Sequence, residues 1–211
     1  MTATKSKIIA LILLIIAFLI LTFLVISKNN FIIALDQNTA SLFAHIRLPA
    51  LNTAMIFITH LGDVYADLIL FIIFALFLLI KQKKYRVYAF TIATSLGIAS
   101  SEMIKIFVAR ARPISSFISE TSYSFPSVHA TMSTILLFSA IFLIIPLIKN
   151  RMQKKIAFVP VVIIFPLIAL SRIYLSVHFA SDVIAGIVLG LICYLASFIL
   201  IFHKHIDIAV K

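Results

Sequence analysis

Three short stretches of this sequence gather residue types that hold anions and move protons. In EMIKIFVARARP, Lys105 and Arg112 stand seven residues apart and Pro113 follows the second cation. Seven residues make two helical turns, so on a continuous helix both cations point the same way and Pro113 stops the helix just after them. Two positive charges on one face form a cradle for an anion. In SFPSVHAT, Pro126 and Ser127 stand where a helix would begin. The first-turn N–H groups, the Ser127 hydroxyl and His129 would then face one mouth, and a helix N-terminus is a natural phosphate site. In SRIYLSVHFASD, His178 and Asp182 are four apart. On a helix they stack on one face, Asp182 accepts a hydrogen bond from one ring nitrogen of His178, and the other nitrogen is left free as a nucleophile. Arg172 falls off that face, so the chain must turn between Arg172, ending one helix, and His178, opening the next.

These groups need elements to hold them, and composition says which. Of 211 residues 63% are hydrophobic and 12% charged, with a mean hydropathy of +1.20, which excludes a water-soluble globular domain. Apolar runs long enough to cross about 30 Å of hydrocarbon lie near 8–27, 64–80, 86–108, 128–148, 155–175 and 182–202. The fold class is therefore an all-α integral membrane protein of six transmembrane helices, and residues 1–211 form a single domain without repeats or linkers. Pro160 and Pro166 inside the fifth span are tolerable in a membrane helix and are expected to kink it. Between the first two spans, Leu35, Leu42, Phe43 and Ile46 give an apolar stripe at helical spacing, which predicts one or two short amphipathic helices on the outer membrane surface, forming a lateral gate.

The formal net charge of +11 is explained by topology rather than by nucleic acid. Lys5 and Lys7, Lys81 to Arg86, Lys149 to Lys155, and Lys204 and Lys211 all fall on one side, which the positive-inside rule makes cytoplasmic. Both termini are thus expected in the cytoplasm, and Tyr65, Tyr123 and Tyr174 at the opposite interface. Lys105, Arg112, Arg172, His129, His178 and Asp182 collect at the outer ends of spans three to six, where ionisable groups are costly and mark function by default. The single cysteine, Cys193, has no partner for a disulfide and is read as packing.

In their order and spacing the three stretches resemble the type 2 phosphatidic acid phosphatases, integral-membrane relatives of vanadium haloperoxidases and bacterial acid phosphatases. That family's pattern is Lys, six residues, Arg-Pro; then Pro-Ser-Gly-His; then Ser-Arg, five residues, His, three residues, Asp. Here the pattern reads Lys105, Arg112 and Pro113; Pro126, Ser127 and His129; and Ser171, Arg172, His178 and Asp182. The resemblance implies that His178 attacks phosphorus, Asp182 orients it and stabilises its imidazolium, and His129 protonates the leaving oxygen as general acid. Lys105, Arg112, Arg172, Ser127 and the backbone at Val128 would bind the phosphate, with Pro113, Pro126 and Ser171 in support. No metal and no cofactor is implied. Val128 stands where the family has glycine, and a β-branched residue cannot adopt positive φ cheaply.

The expected partner is a lipid phosphate in the membrane, with no nucleic acid and no obligatory protein partner, and the expected location is a bacterial inner or plasma membrane with an extracytoplasmic site. That topology favours undecaprenyl diphosphate over phosphatidylglycerophosphate or phosphatidic acid, with lipid A as a further enzyme reading and an anion or lipid-binding transporter as the non-enzyme one. Arg110 matches no motif position and is assigned to headgroups or a loop carboxylate. Asp63 and Asp67 are assigned to capping the second span, Glu102 to pairing with Lys105, and His45, His60, His203 and His205 to structural or solvated roles.

Overall fold

The computed structural model describes residues 2–202, and over these the chain is helical with no strand. The expected cytoplasmic cations Lys204 and Lys211, and His203 and His205, lie outside the described residues, as does the placement of the C-terminus. The helices are α1 (Thr2–Ile26), α2 (Asn30–His45), α3 (Pro49–His60), α4 (Val64–Ile80), α5 (Lys84–Val108), α6 (Val128–Ser139), α7 (Arg151–Tyr174) and α8 (Ala180–Phe202). A π-helical turn at Ala140–Ile144 and a 3₁₀ turn at Ile145–Leu147 prolong α6.

Among the described residues, five helices are long and apolar enough to cross a membrane: Lys5–Ile26, Lys84–Val108, Val128–Leu147, Arg151–Tyr174 and Ala180–Phe202. The expected span at 64–80 is α4, whose 17 residues reach about 25 Å at ~1.5 Å per residue, short of a ~30 Å hydrocarbon core. A sixth crossing therefore requires α3 and α4 together, bent by 52° at the break between them. The helix α7 runs unbroken through Pro160 and Pro166. The faces of α1 and α4 turned away from the bundle carry exposed Ile9, Leu13, Phe23, Ile69 and Ile73, a surface suited to lipid rather than water.

The bundle is organised around α8, which packs against α5, α6 and α1. Gly186 and Gly190, one turn apart, set the approach to α6. A Cβ at Gly186 would stand 2.5 Å from the Ser127 carbonyl oxygen, and one at Gly190 would stand 2.7 Å from the Thr131 carbonyl oxygen. Such small-residue spacing lets helix backbones meet where lipid offers no hydrophobic drive. Its consequence is functional, because it brings the N-terminal ends of α6 and α8 side by side, and the Ser127 N–H donates to the Asp182 carbonyl at 3.1 Å.

The segment between the first two spans does form two helices, α2 and α3, but they are not merely a surface gate. They pack on α7 and α8, and each buries a polar residue, Asp36 in α2 and Thr59 in α3. Arg47, between them, donates to the Tyr174 carbonyl at 3.0 Å and to Ser176 Oγ at 2.7 Å. Tyr174, expected at the interface, is instead buried and donates its hydroxyl to Asn52 at 2.6 Å.

Replacing Gly190 with valine forces extra volume against the Thr131 carbonyl, an overpacking cost of about 1–3 kcal/mol. The variant is expected to melt at lower temperature in detergent than the parent chain; an unchanged melting temperature would show that α8 does not depend on this contact.

Candidate active site

All six charged residues singled out in the sequence converge at one end of the bundle, where α5, α7 and the α6 and α8 N-termini meet. This end is opposite the helix ends that carry Lys81 to Arg86 and Lys149 to Lys155. The local routes differ from those expected. The helix α5 stops at Val108, and Ala109 turns the chain with a left-handed φ of 48°, so Arg112 is not on the helix of Lys105. The two cations still meet, through Ser122: Lys105 Nζ lies 3.2 Å from Ser122 Oγ, and Arg112 donates to Ser122 O at 2.7 Å and Oγ at 3.0 Å. Lys105 also pairs with Glu102 at 3.3 Å, as expected.

His178 likewise stands before α8 rather than on it. After Tyr174 the chain turns through Ser176, whose φ is 51°, and the N–H groups of Val177 and His178 both donate to the Arg172 carbonyl. This reversal places the buried Arg172 side chain at the end of α7 and His178 across from it. Ser171 bonds back to the Ile168 carbonyl at 2.7 Å and is fully buried, a helix-internal role beneath Arg172.

The His178 ring is held between charges of opposite sign. Its Nδ1 lies 3.5 Å from Asp182 Oδ2, and its Nε2 lies 3.2 Å from an Arg112 guanidinium nitrogen. One nitrogen thus faces a carboxylate and the other faces the anion cradle. Burial pushes the imidazole pKa down to about 4, against an upward pull from Asp182. The ring is therefore neutral at pH 7, with a lone pair available.

Asp182 is completely buried, and its partners include a residue that motif spacing passed over. Arg110 donates to Asp182 Oδ1 at 2.5 Å, to Asp36 Oδ2 at 2.7 Å and to Ser181 Oγ at 2.7 Å, and its guanidinium lies 4.2 Å over the Phe179 ring. The assignment of Arg110 to headgroups or a loop carboxylate is corrected: both carboxylates are buried in the bundle. The available signal was Asp36, a lone acid in the apolar stretch FIIALD, which burial would oblige to find a cation. The other Asp182 oxygen accepts the Phe179 N–H at 2.9 Å.

At the start of α6, Ser127 is the N-cap, as expected, and its Oγ accepts the Ala130 N–H at 3.4 Å. Ser127 is buried, like Arg172 and His178. Val128 opens α6 and is not among the positive-φ residues, so the strain expected of valine at a glycine position does not arise. Pro126 is buried just ahead of it, and Pro113 lies in the connection that carries Arg112 across. His129, on the first turn of α6, lies 3.2 Å from Asp63. Asp63 stands at the N-cap of α4 but makes no side-chain capping bond, which corrects its assignment as a cap.

Glu120, in the segment between α5 and α6, occupies the middle of the cradle. It accepts from Arg172 at 2.5 Å and lies 3.7 Å from Arg112. Burial raises its pKa, but the Arg172 hydrogen bond and the two guanidinium charges outweigh it and leave the carboxyl below its ordinary value. The carboxylate meets the two guanidiniums as two oxygens of a phosphate would.

Comparison with known proteins now decides the family. A PAP2 superfamily profile matches residues 84–206, which include all three stretches. The chain belongs to the PAP2 superfamily. It is 30% identical over 182 residues to phosphatidylglycerophosphatase B of Bacillus subtilis (strain 168), covering 83% of this chain and 89% of that protein. Among solved structures it is similar to a transmembrane PAP2-type phosphatidylglycerolphosphate phosphatase from Bacillus subtilis, with a TM-score of 0.78, 28% identity, and 95% of this chain and 97% of that one covered. It also resembles Aquifex aeolicus LpxE, with a TM-score of 0.63, 26% identity, and coverage of 78% and 95%. The chain is a multi-pass bacterial membrane phosphatase.

Because Glu120 pairs with the guanidiniums, Glu120→Gln should strengthen inhibition by inorganic phosphate by about two- to fivefold, the scale of a partly exposed ion pair. Weaker inhibition would mean that Glu120 positions Arg172 instead of blocking it. A histidine-selective NMR titration should find the His178 ring neutral at pH 5–6, where an unperturbed imidazole of pKa ~6.5 is largely protonated; protonation near 6.5 would contradict the burial argument.

Proposed function

We propose that this PAP2 phosphatase removes a phosphate from a membrane lipid in two displacements, with His178 as nucleophile. The observation that carries this reading is the His178 ring, buried and neutral, with Nε2 3.2 Å from Arg112 and Nδ1 toward Asp182. A phosphate that displaces Glu120 from Arg172 and Arg112 would put phosphorus next to Nε2. Arg172, Arg112 and Lys105 then neutralise the non-bridging oxygens, and the first-turn N–H groups of α6 at Val128 and His129 add donors. As the His178–phosphorus bond forms, Asp182 stabilises the imidazolium, and His129 gives a proton to the leaving oxygen. Water then hydrolyses the phosphohistidine. With three cations already neutralising the phosphate, the reaction needs no metal.

For the substrate, the relatives in Bacillus subtilis are named for phosphatidylglycerophosphate, which supports a glycerophospholipid phosphate monoester as the first choice. Undecaprenyl diphosphate is the second reading, supported by topology. The site lies at the ends of α5 to α8 away from the loops rich in Lys and Arg, which the positive-inside rule assigns to the cytoplasm. The same argument puts the site on the outer face and the N-terminus inside, in a bundle of six crossings.

The test is phosphate release by the purified protein in mixed micelles containing a chelator, across phosphatidylglycerophosphate, phosphatidic acid, a lipid A phosphate and undecaprenyl diphosphate. Phosphatidylglycerophosphate should turn over with the highest kcat/KM; turnover confined to the diphosphate would select the second reading, and loss of all activity in chelator would overturn the metal-free route. Removing the guanidinium of Arg172 should cost on the order of 3 kcal/mol in kcat/KM, by analogy with a lost oxyanion donor.

A further inference from the structure

The turn between α3 and α4 meets the site with groups that the phosphate cradle does not use. Asp63 lies between two imidazoles: its Oδ1 is 3.2 Å from His129 Nε2, and its Oδ2 is 2.7 Å from His60 Nδ1. It sits at the N-cap of α4, yet its carboxylate makes no capping bond, although such a bond is worth ~1 kcal/mol. The rest of the turn is fitted to the site as well. A Cβ at Gly62 would lie 3.1 Å from His129 Cδ2 and 2.5 Å from Ile168 Cγ2, so the backbone presses on the ring, and Thr59 accepts from Arg172 at 2.7 Å.

We propose that Asp63 is the positioning residue for His129, fixing its ring orientation and tautomer so that Nδ1 is the atom that serves the leaving group. The inference rests on the phosphatase reading above. An ionised carboxylate only accepts, so the Nε2 that faces it carries a proton. In the first displacement His129, whose Nδ1 takes a proton from the acidic form of the bound phosphate monoester, passes that proton to the bridging oxygen as the phosphorus–oxygen bond breaks and the His178 Nε2–phosphorus bond forms. The ring is left neutral, with its remaining proton on Nε2. That tautomer presents a bare Nδ1 to water, from which it takes a proton as the water oxygen attacks phosphorus and the nitrogen–phosphorus bond breaks. One fixed tautomer therefore serves both steps.

The charges around His129 show why a carboxylate is needed there. Arg172 approaches from α7 and His178 from the turn before α8, and both bear on His129 electrostatically alongside Asp63. Glu120, on the far side, is held by Arg172, and Asp67, one turn along α4, faces Asp63. Asp63 is the carboxylate in contact with the ring, and His60, at the outer side of the turn, anchors its second oxygen. Each site histidine thus has its own aspartate, Asp182 for His178 and Asp63 for His129.

The experiment compares kcat/KM of Asp63→Asn on phosphatidic acid, whose alkoxide must be protonated as it leaves, with kcat/KM on p-nitrophenyl phosphate, whose phenolate leaves without help. Asparagine caps a helix as well as aspartate does, and Asp63→Ser serves the same purpose if the first variant does not fold. The expected result is a loss on the order of 30-fold on phosphatidic acid, within the range ascribed to general acids, and less than about threefold on the aryl ester. His129→Gln should show the same selective loss, and adding Asp63→Asn to it should cost nothing further. Equal losses on both substrates, no loss on either, or additive losses would overturn the proposal. His178→Ala separates the two levels: turnover by that variant overturns the phosphatase reading and this inference with it, whereas silence on both substrates beside a non-selective Asp63→Asn overturns the inference alone.

Discussion

A carboxylate with no access to solvent dictates much of this structure. Asp182 is completely buried at the start of α8, and an unpaired buried charge is far too costly to persist. Its oxygens are met by Arg110 and the Phe179 N–H, and its carbonyl takes the Ser127 N–H. Those contacts pull together the chain after α5, the turn before α8 and the start of α6. Arg110 extends the network to Asp36 and so fastens α2 to the same point. The glycine contact between α6 and α8 allows it, since larger residues at 186 and 190 would separate the two helix ends. A network of this kind adds little net stability over an apolar core, whereas removing one partner leaves an uncompensated buried charge.

The same geometry suits His178 to the proposed role of nucleophile. Burial, reinforced by the Arg172 and Arg112 charges, keeps the His178 ring neutral against the pull of Asp182; a neutral ring suits the proposed attack, and Asp182 would favour the charge that attack creates. The 3.5 Å separation between them is that of a resting contact, and such contacts tighten when charge develops. Across the ring, the guanidiniums that would bind phosphate are paired with Glu120, so neither buried cation lacks a counter-charge. The phosphate of a substrate therefore exchanges one anion for another.

Periodicity and spacing exposed much of this directly. The long apolar runs became helices near their expected positions, and Lys105, Arg112, His129, Arg172, His178 and Asp182 do meet at one end. What failed was the local path: helical periodicity put Lys105 with Arg112, and His178 with Asp182, on shared helices, whereas Ala109 and Ser176 turn the chain in left-handed conformations that neither residue type announces. Of the Arg110–Asp36 pair only the lone acid in FIIALD gave a sign, and the roles of Thr59, Glu120 and Asp63 were illegible for a different reason. Each depends on a partner distant in sequence, and burial, which makes the pairing obligatory, is a property of the packed bundle.

The central claim is a phosphoryl group carried on His178. Rapid acid-free quenching of the enzyme during turnover of a labelled lipid phosphate, followed by peptide mass spectrometry, tests it most directly. The account predicts a phosphohistidine at position 178, absent from the His178→Ala variant. Label on another residue, or none while turnover proceeds at full rate, would contradict it.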